Sequence, residues 1–195
     1  MNESLLTNET DTNVTKDTEA SISYEKYKPS KKIDLKRHII KAVSLNLIDI
    51  IKYNYQNGNI IKKDKFYLSN LPSISLNDYI KRLVNHTNMN ISTLINAIIY
   101  IDTFCEKYNY SLCMNNVYLI LLSSCLISMK FNEDIGINLK NYAQIAGISL
   151  DNLINLEFAF FTNLCFDLFV KEDLYQTYYD YFYNYEIFYD LILAI

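Results

Sequence analysis

Apolar side chains recur along most of this chain at the spacing of a helix face, and the breaks in that rhythm divide it into elements. From Ile33 to about Tyr55 they fall at Leu35, Ile39, Val43, Leu47, Ile50 and Ile51, an amphipathic helix that stops before Asn57-Gly58-Asn59. Residues 60–72 keep no period and are predicted irregular, with Phe66, Tyr67 and Leu68 as anchors onto a core. Ser75, with Asp78 three positions on, makes a capping box and opens a helix through Tyr79, Ile80, Leu83 and Val84 to Thr87. The next helix, capped by Asn90 or Ser92, uses Leu94, Ile95, Ile98, Ile101 and Cys105. Val117 to Met129 is apolar all round, relieved only by the small Ser123, Ser124 and Ser128, which predicts the central helix of a bundle, ended by Lys130. A short helix over residues 139–146 follows, with Gly147 as its C-cap. Ser149 then caps a helix carrying Leu150, Leu153, Ile154, Leu156, Phe158, Phe160, Phe161 and Leu164. Beyond Leu168, tyrosines at 175, 178, 179, 181, 183, 185 and 189 keep helical spacings and predict a last helix, its stripe read as core or capping surface.

Charges interrupt this pattern in three places. Glu157 lies three and four residues past Ile154 and Leu153 and four before Phe161, so apolar residues flank its stripe on both sides. A carboxylate buried there costs several kcal/mol unless it is paired or hydrogen-bonded, and so needs a partner. Lys130 ends the central helix as its first charge, and Asp102 falls four residues past Ile98, where a core residue is expected.

Composition narrows the class. Three Gly and two Pro in 195 residues leave little turn chemistry for a many-stranded sheet, so the fold class is all-α, in one domain with tails. Residues 1–30 are rich in Asn, Thr, Glu and Ser and are expected to be disordered. The formal net charge of −4 gives no overall basic field for nucleic acid; the basic run from Lys26 to Lys41, opposed by Asp34, is read as a solvated helix entrance. The cysteines at 105, 113, 125 and 165 form no Cys-x-x-Cys pair and are expected to be reduced thiols. A polar, acidic start and a longest apolar run far short of a membrane span predict a soluble, intracellular protein with no membrane partner. With His38 and His86 as its only histidines and no Gly-rich phosphate loop, the chain offers no His-based triad, metal cluster, cofactor site or small-molecule site.

An ordered series of short motifs carries a resemblance. It consists of Phe66, Pro72-Ser-Ile-Ser-Leu-Asn-Asp-Tyr-Ile-Lys-Arg82, Tyr100-Ile-Asp102, Asn116-Val117, Lys130-Phe131 with Glu133-Asp134, Tyr142-Ala143, Gly147-Ile-Ser149, Leu156-Glu157 and Leu164-Cys-Phe-Asp-Leu168. Taken together, over about residues 39–180, the series resembles the cyclin box, and most nearly that of the P-type cyclins, single-box regulatory subunits of cyclin-dependent kinases. The resemblance implies a flanking helix over 31–60, the box over 61–184 and a C-terminal extension over 185–195. It implies that Lys130 and Glu157 hydrogen-bond near the mobile helix of a partner kinase while Phe131, Phe161, Phe166 and Leu168 pack against that helix. It also implies that Arg82 and Asp102 form a buried structural pair, and that Asp134 faces the kinase's activation segment. Thr103, Tyr118-Leu119 and Ala146 stand where the family usually has Arg, His-Arg and Gly, departures that bear on substrate docking and partner choice. The expected function is therefore a non-catalytic regulator of a protein kinase; the competing reading is a cyclin-like adaptor or transcription scaffold that activates no kinase.

Overall fold

The computed structural model, which describes residues 34–134 and 136–193 with side chains as far as Tyr185, has helices as its only regular elements among those residues. In chain order they are α1 (Leu35–Gln56), α2 (Leu76–His86), α3 (Ile91–Tyr108), α4 (Val117–Asn132), α5 (Leu139–Ala146), α6 (Leu150–Asn163) and α7 (Glu172–Leu193). The all-α class and the order of elements are those expected from the patterning. The expectation of disorder over residues 1–30 lies outside the described residues. The expected boundary between 184 and 185 falls inside α7.

Helix α4 has no solvent side, since every residue from Val117 to Met129 is buried. Its serines are what allow the neighbours to approach so closely. Ser124 Oγ donates to the Ala97 carbonyl and Ser128 Oγ to the Thr93 carbonyl at 2.7 Å, joining α4 to α3, while Ser123 Oγ bonds its own Leu119 carbonyl. A buried hydroxyl without a partner would cost about 1–3 kcal/mol, and none of the three is left so. Around α4 lie α3 and α6, with α2 and α5 beyond, and α1 packs between α2 and α7.

The local signals read from the sequence operate as such. Ser75 and Ser149 each accept a backbone N–H from the third residue on, capping α2 and α6, and Asn138, not singled out in the sequence, does the same for α5. Asn90 begins α3 without a side-chain cap bond. Between α1 and α2 the chain is irregular but firmly held. Phe66 is buried edge-on against Phe104 and Phe160, Leu68 N–H donates to the Asn115 carbonyl, and Asn115 Nδ2 returns a bond to the Leu68 carbonyl.

Helix α7 seals the face left by α1 and α3. Phe182 is buried there, and the tyrosines around it use their hydroxyls on polar groups of the two neighbours. Tyr185 Oη donates to Asp49, Tyr181 Oη accepts from Asn46, and Tyr178 Oη donates to Asp102 Oδ2 at 2.7 Å. An aromatic body with a polar tip suits such a half-buried seam.

One expectation is corrected here. Arg82 and Asp102 are not a buried pair: Arg82 is exposed on α2, and the half-buried carboxyl of Asp102 takes the Tyr178 hydroxyl instead. Burial pushes the Asp102 carboxyl above the usual carboxylate range, with the Tyr178 hydrogen bond opposing and Glu106 adding to the rise. A neutral hydroxyl donor supplied from α7 is a cheaper partner for a carboxyl in that seam than a second desolvated charge.

Candidate partner-binding surface

The apolar stripe read along α6 divides into two faces. Leu153, Leu156, Ala159 and Phe160 turn inward, where the Phe160 ring stacks on Phe104 at 5.0 Å. Leu150, Ile154 and Phe158, each four residues after the last, share the opposite face and are exposed. Fully burying a side chain of this size is worth about 1.5–3 kcal/mol, and the isolated chain forgoes most of that at Phe158 and a smaller part at Ile154 and Leu150.

The end of α6 extends this apolar face by local backbone chemistry. Phe166 N–H bonds the Phe161 carbonyl and Cys165 N–H the Thr162 carbonyl, the hydrogen-bond pair of a Schellman motif. The motif places the first residue after the C-cap in the left-handed region, where glycine is usual; here Cys165 occupies it at φ 55° and Phe166 follows at 62°. Such conformations cost about 1–3 kcal/mol each and cluster at functional sites. The same motif brings its second residue back over the helix. Phe166 accordingly meets Phe161 edge-on with ring centres 4.8 Å apart and stays 61 % exposed. Phe169, three residues on, is also exposed.

Lys130 and Glu157 come together at 2.5 Å, joining the last turn of α4 to α6. Their side chains keep 39 % and 19 % of their exposure, so the pair lies at the surface rather than in a closed core. A cation in the last turn of α4 also suits the negative end of that helix. The neighbours in sequence are Phe131, 56 % exposed, and Phe158, 67 % exposed. The ion pair thus has an exposed aromatic beside each partner.

Of the other expected residues, Leu168 departs most from an exposed role. It is only 8 % exposed, and its carbonyl accepts the Tyr100 hydroxyl at 2.8 Å, which fixes the segment after α6 onto α3. Asp134 is exposed, whereas its neighbour Glu133 turns back to accept the Asn90 N–H at the start of α3. Residues not assigned to the surface beforehand are Leu150, Ile154, Phe158 and Phe169. The first three were visible in the sequence as an i, i+4, i+8 series, but nothing in that spacing says which face another chain covers.

The cysteines differ sharply in their surroundings. Burial pushes the thiols of Cys105 and Cys125 up to about 12, whereas Cys165 is exposed and held below the usual thiol range by a hydrogen bond from Lys107 Nζ at 2.8 Å. Among the described residues no group of His, Cys, Asp and Glu gathers to hold a metal ion, and no helix is long and apolar enough to cross a membrane. What the surface offers is recognition: a set of apolar anchors around a directional charge pair.

Comparison with known proteins agrees with that. The cyclin family model matches residues 3–168. Cyclin-U4-3 of Arabidopsis thaliana is 34 % identical over 127 residues, covering 63 % of this chain and 58 % of that protein. Cyclin-P4-1 of Oryza sativa subsp. japonica is 33 % identical over 109 residues, 55 % of this chain and 51 % of that one. The PHO85 cyclin-like protein psl1 of Schizosaccharomyces pombe is 28 % identical over 117 residues, 59 % of this chain and 48 % of that one. The chain therefore spans about half the length of the curated relatives it matches.

Proposed function

This chain belongs to the cyclin family, and from that premise we propose that it binds a cyclin-dependent kinase and activates it. Phe131, Phe158, Phe161 and Phe166 pack against the kinase's mobile helix, with Ile154 beside them, while Lys130 and Glu157 orient that helix through hydrogen bonds. Leu168 acts from beneath, carrying the turn that presents Phe166. The observation that carries the proposal is the combination on one surface of exposed aromatics with an ion pair between them. Clustered apolar exposure marks a partner site, and aromatic anchors around charges that become desolvated are the usual energetic centre of an interface.

No catalytic group is required of this chain. Activation is a population shift: the chain binds only the kinase conformation whose catalytic Lys–Glu pair is assembled, and so raises its share. Asp134, exposed at the end of the Glu133-Asp134 loop, faces the kinase's activation segment and acts on its order rather than on binding.

Affinity capture with mass spectrometry, followed by a phosphorylation assay of the recovered kinase with and without added chain, tests this reading. A cyclin-dependent kinase should co-purify and gain activity, and Phe158→Asp should lose both. Recovery of nucleic acid without a kinase, or capture indifferent to Phe158→Asp, would place the chain among adaptors instead.

A further inference from the structure

A concave feature lies at the other end of α4. The C-terminal turn of α1, the irregular segment after it and the residues leading into α4 enclose a cavity of about 600 Å³. Ile51, Tyr55, Ile61, Tyr67, Leu112 and Met114 give it an apolar lining, and Lys52 and Lys63 stand among its walls. Val117 and Lys130 are 13 residues apart on α4, so at 1.5 Å per residue the cavity and the Lys130–Glu157 pair are separated by about 20 Å along that helix. The two surfaces can be occupied at once.

The walls are built in advance. Phe66 is buried edge-on against the stacked rings of Phe104 and Phe160, and the paired bonds of Leu68 with Asn115 tie the irregular segment to the residues before α4. Lys62 Nζ donates to the Tyr108 carbonyl at 2.7 Å, holding the same segment to the end of α3. A cavity fixed by such bonds binds without the ordering cost that a mobile loop imposes. At its edge Tyr55 is 88 % exposed, and Ile60, next to Ile61 of the lining, is 84 % exposed.

Charge states which partner fits. Lys52, Lys62, Lys63 and Lys65 are all exposed on the same turn and segment, in a chain whose formal net charge is −4. Asp64, the acid within that run, is turned to structural use: its Oδ1 accepts the Phe66 N–H at 2.9 Å and the Tyr110 hydroxyl at 3.0 Å. Asp49, three residues before Lys52 on α1, pairs with it at 3.2 Å. We propose that this cavity is a docking site for a peptide segment of a partner protein in which an apolar side chain is flanked by carboxylates. The apolar side chain fills the cavity, and the flanking acids meet the lysines. The proposal does not depend on the kinase reading, because none of these residues belongs to the Lys130–Glu157 surface.

Fluorescence anisotropy on the full chain tests it. The probe is a labelled hexapeptide with a central Leu-Phe pair and two acidic residues on each side; its counterparts carry lysines for the acids, or serines for the Leu-Phe pair. The acidic peptide should bind and both counterparts should not. Lys52→Glu with Lys63→Glu should weaken binding by about tenfold or more, and added salt should weaken it in the wild type. Tyr55→Ala, on a side chain almost wholly in solvent, should weaken it without moving the melting temperature. Lys140→Glu, an exposed change on α5, should leave it unchanged and so separates local from net charge. Equal binding of the lysine peptide, an unchanged affinity in the double Glu variant, or no binding of the acidic probe would overturn the proposal. So would a concentration-dependent dimer of the chain alone that Tyr55→Ala abolishes, since the occupant would then be a second copy.

Discussion

Removing either member of the Lys130–Glu157 pair should separate binding from folding, because the pair lies at the surface of the free chain but would be enclosed in a complex. In the free chain the two side chains keep 39 % and 19 % of their exposure, so the pair is worth about 0–1 kcal/mol. For a domain of this size that corresponds to a melting shift of about 2–4 °C at most. The two substitutions should not be equal. Glu157→Ala leaves behind the better exposed Lys130, which re-solvates easily, whereas Lys130→Ala leaves the less exposed Glu157 beside Phe158 and should cost more. In the proposed complex Phe131, Phe158 and Phe166 would exclude water, and truncating one partner would leave the other charge buried. That costs about 2–5 kcal/mol, which at about 1.4 kcal/mol per tenfold is about a thirtyfold to few-thousandfold loss of affinity. Titration calorimetry against the co-purified kinase and thermal melting of each purified variant measure both quantities. Large melting losses with unchanged affinity would show that the two charges serve the fold alone, and the docking assignment would fall.

Four further outcomes are expected. Leu121→Asp places a lone charge at a position with no exposure in α4, a cost of several kcal/mol against a typical margin of about 5–15; circular dichroism should show an unfolded chain, and a retained native melt would contradict the central place of α4. Asp102 has a folded carboxyl pKa above the unfolded value of about 3.9, so its contribution to stability is present below that value and is lost as pH rises through the folded one. Asp102→Asn keeps an acceptor for Tyr178 and should gain on the wild type from acid to neutral pH, whereas parallel melting curves across that range would contradict the burial argument. Cys165 should react with iodoacetamide well before Cys105 and Cys125 in the native protein, as peptide mass mapping would report; equal rates would mean that the thiol environments are wrong. Asp134→Asn should lower kinase activity with little change in affinity, and a matching loss of both would move Asp134 into the general interface.

How far the sequence could be read depended on whether the information was local. Helix α4 was legible because Val117 to Met129 carries its signature within itself: apolar on all sides, with serines where close neighbours must fit. The caps at Ser75 and Ser149 are equally local. Lys130 and Glu157 were legible as charges in need of partners, and the structure gives them each other at the surface, an outcome that spacing alone does not decide. Two faces of α6 looked alike in sequence because apolar residues do not state whether their cover comes from the same chain. Asp102 found Tyr178, 76 residues away, since helical period carries nothing about which distant element will close over a given face. The turn after α6 was hidden for a different reason: a left-handed position filled by Cys165 in place of glycine leaves no mark in the residue pattern.

The two hydroxyl clamps between α4 and α3 have a mechanical consequence. Ser124 and Ser128 are four residues apart and meet Ala97 and Thr93, also four apart in the opposite sense, so the two helices run antiparallel with their register pinned at two points. Sliding one helix past the other by a single residue, about 1.5 Å, would break both of these bonds between the helices. The pair therefore behaves as one stiff beam, and Lys130 projects from its end two residues beyond the second clamp. Two helices held in one register have less freedom left to lose when another protein docks on them. When two proteins meet across such a surface, the softer one does the moving.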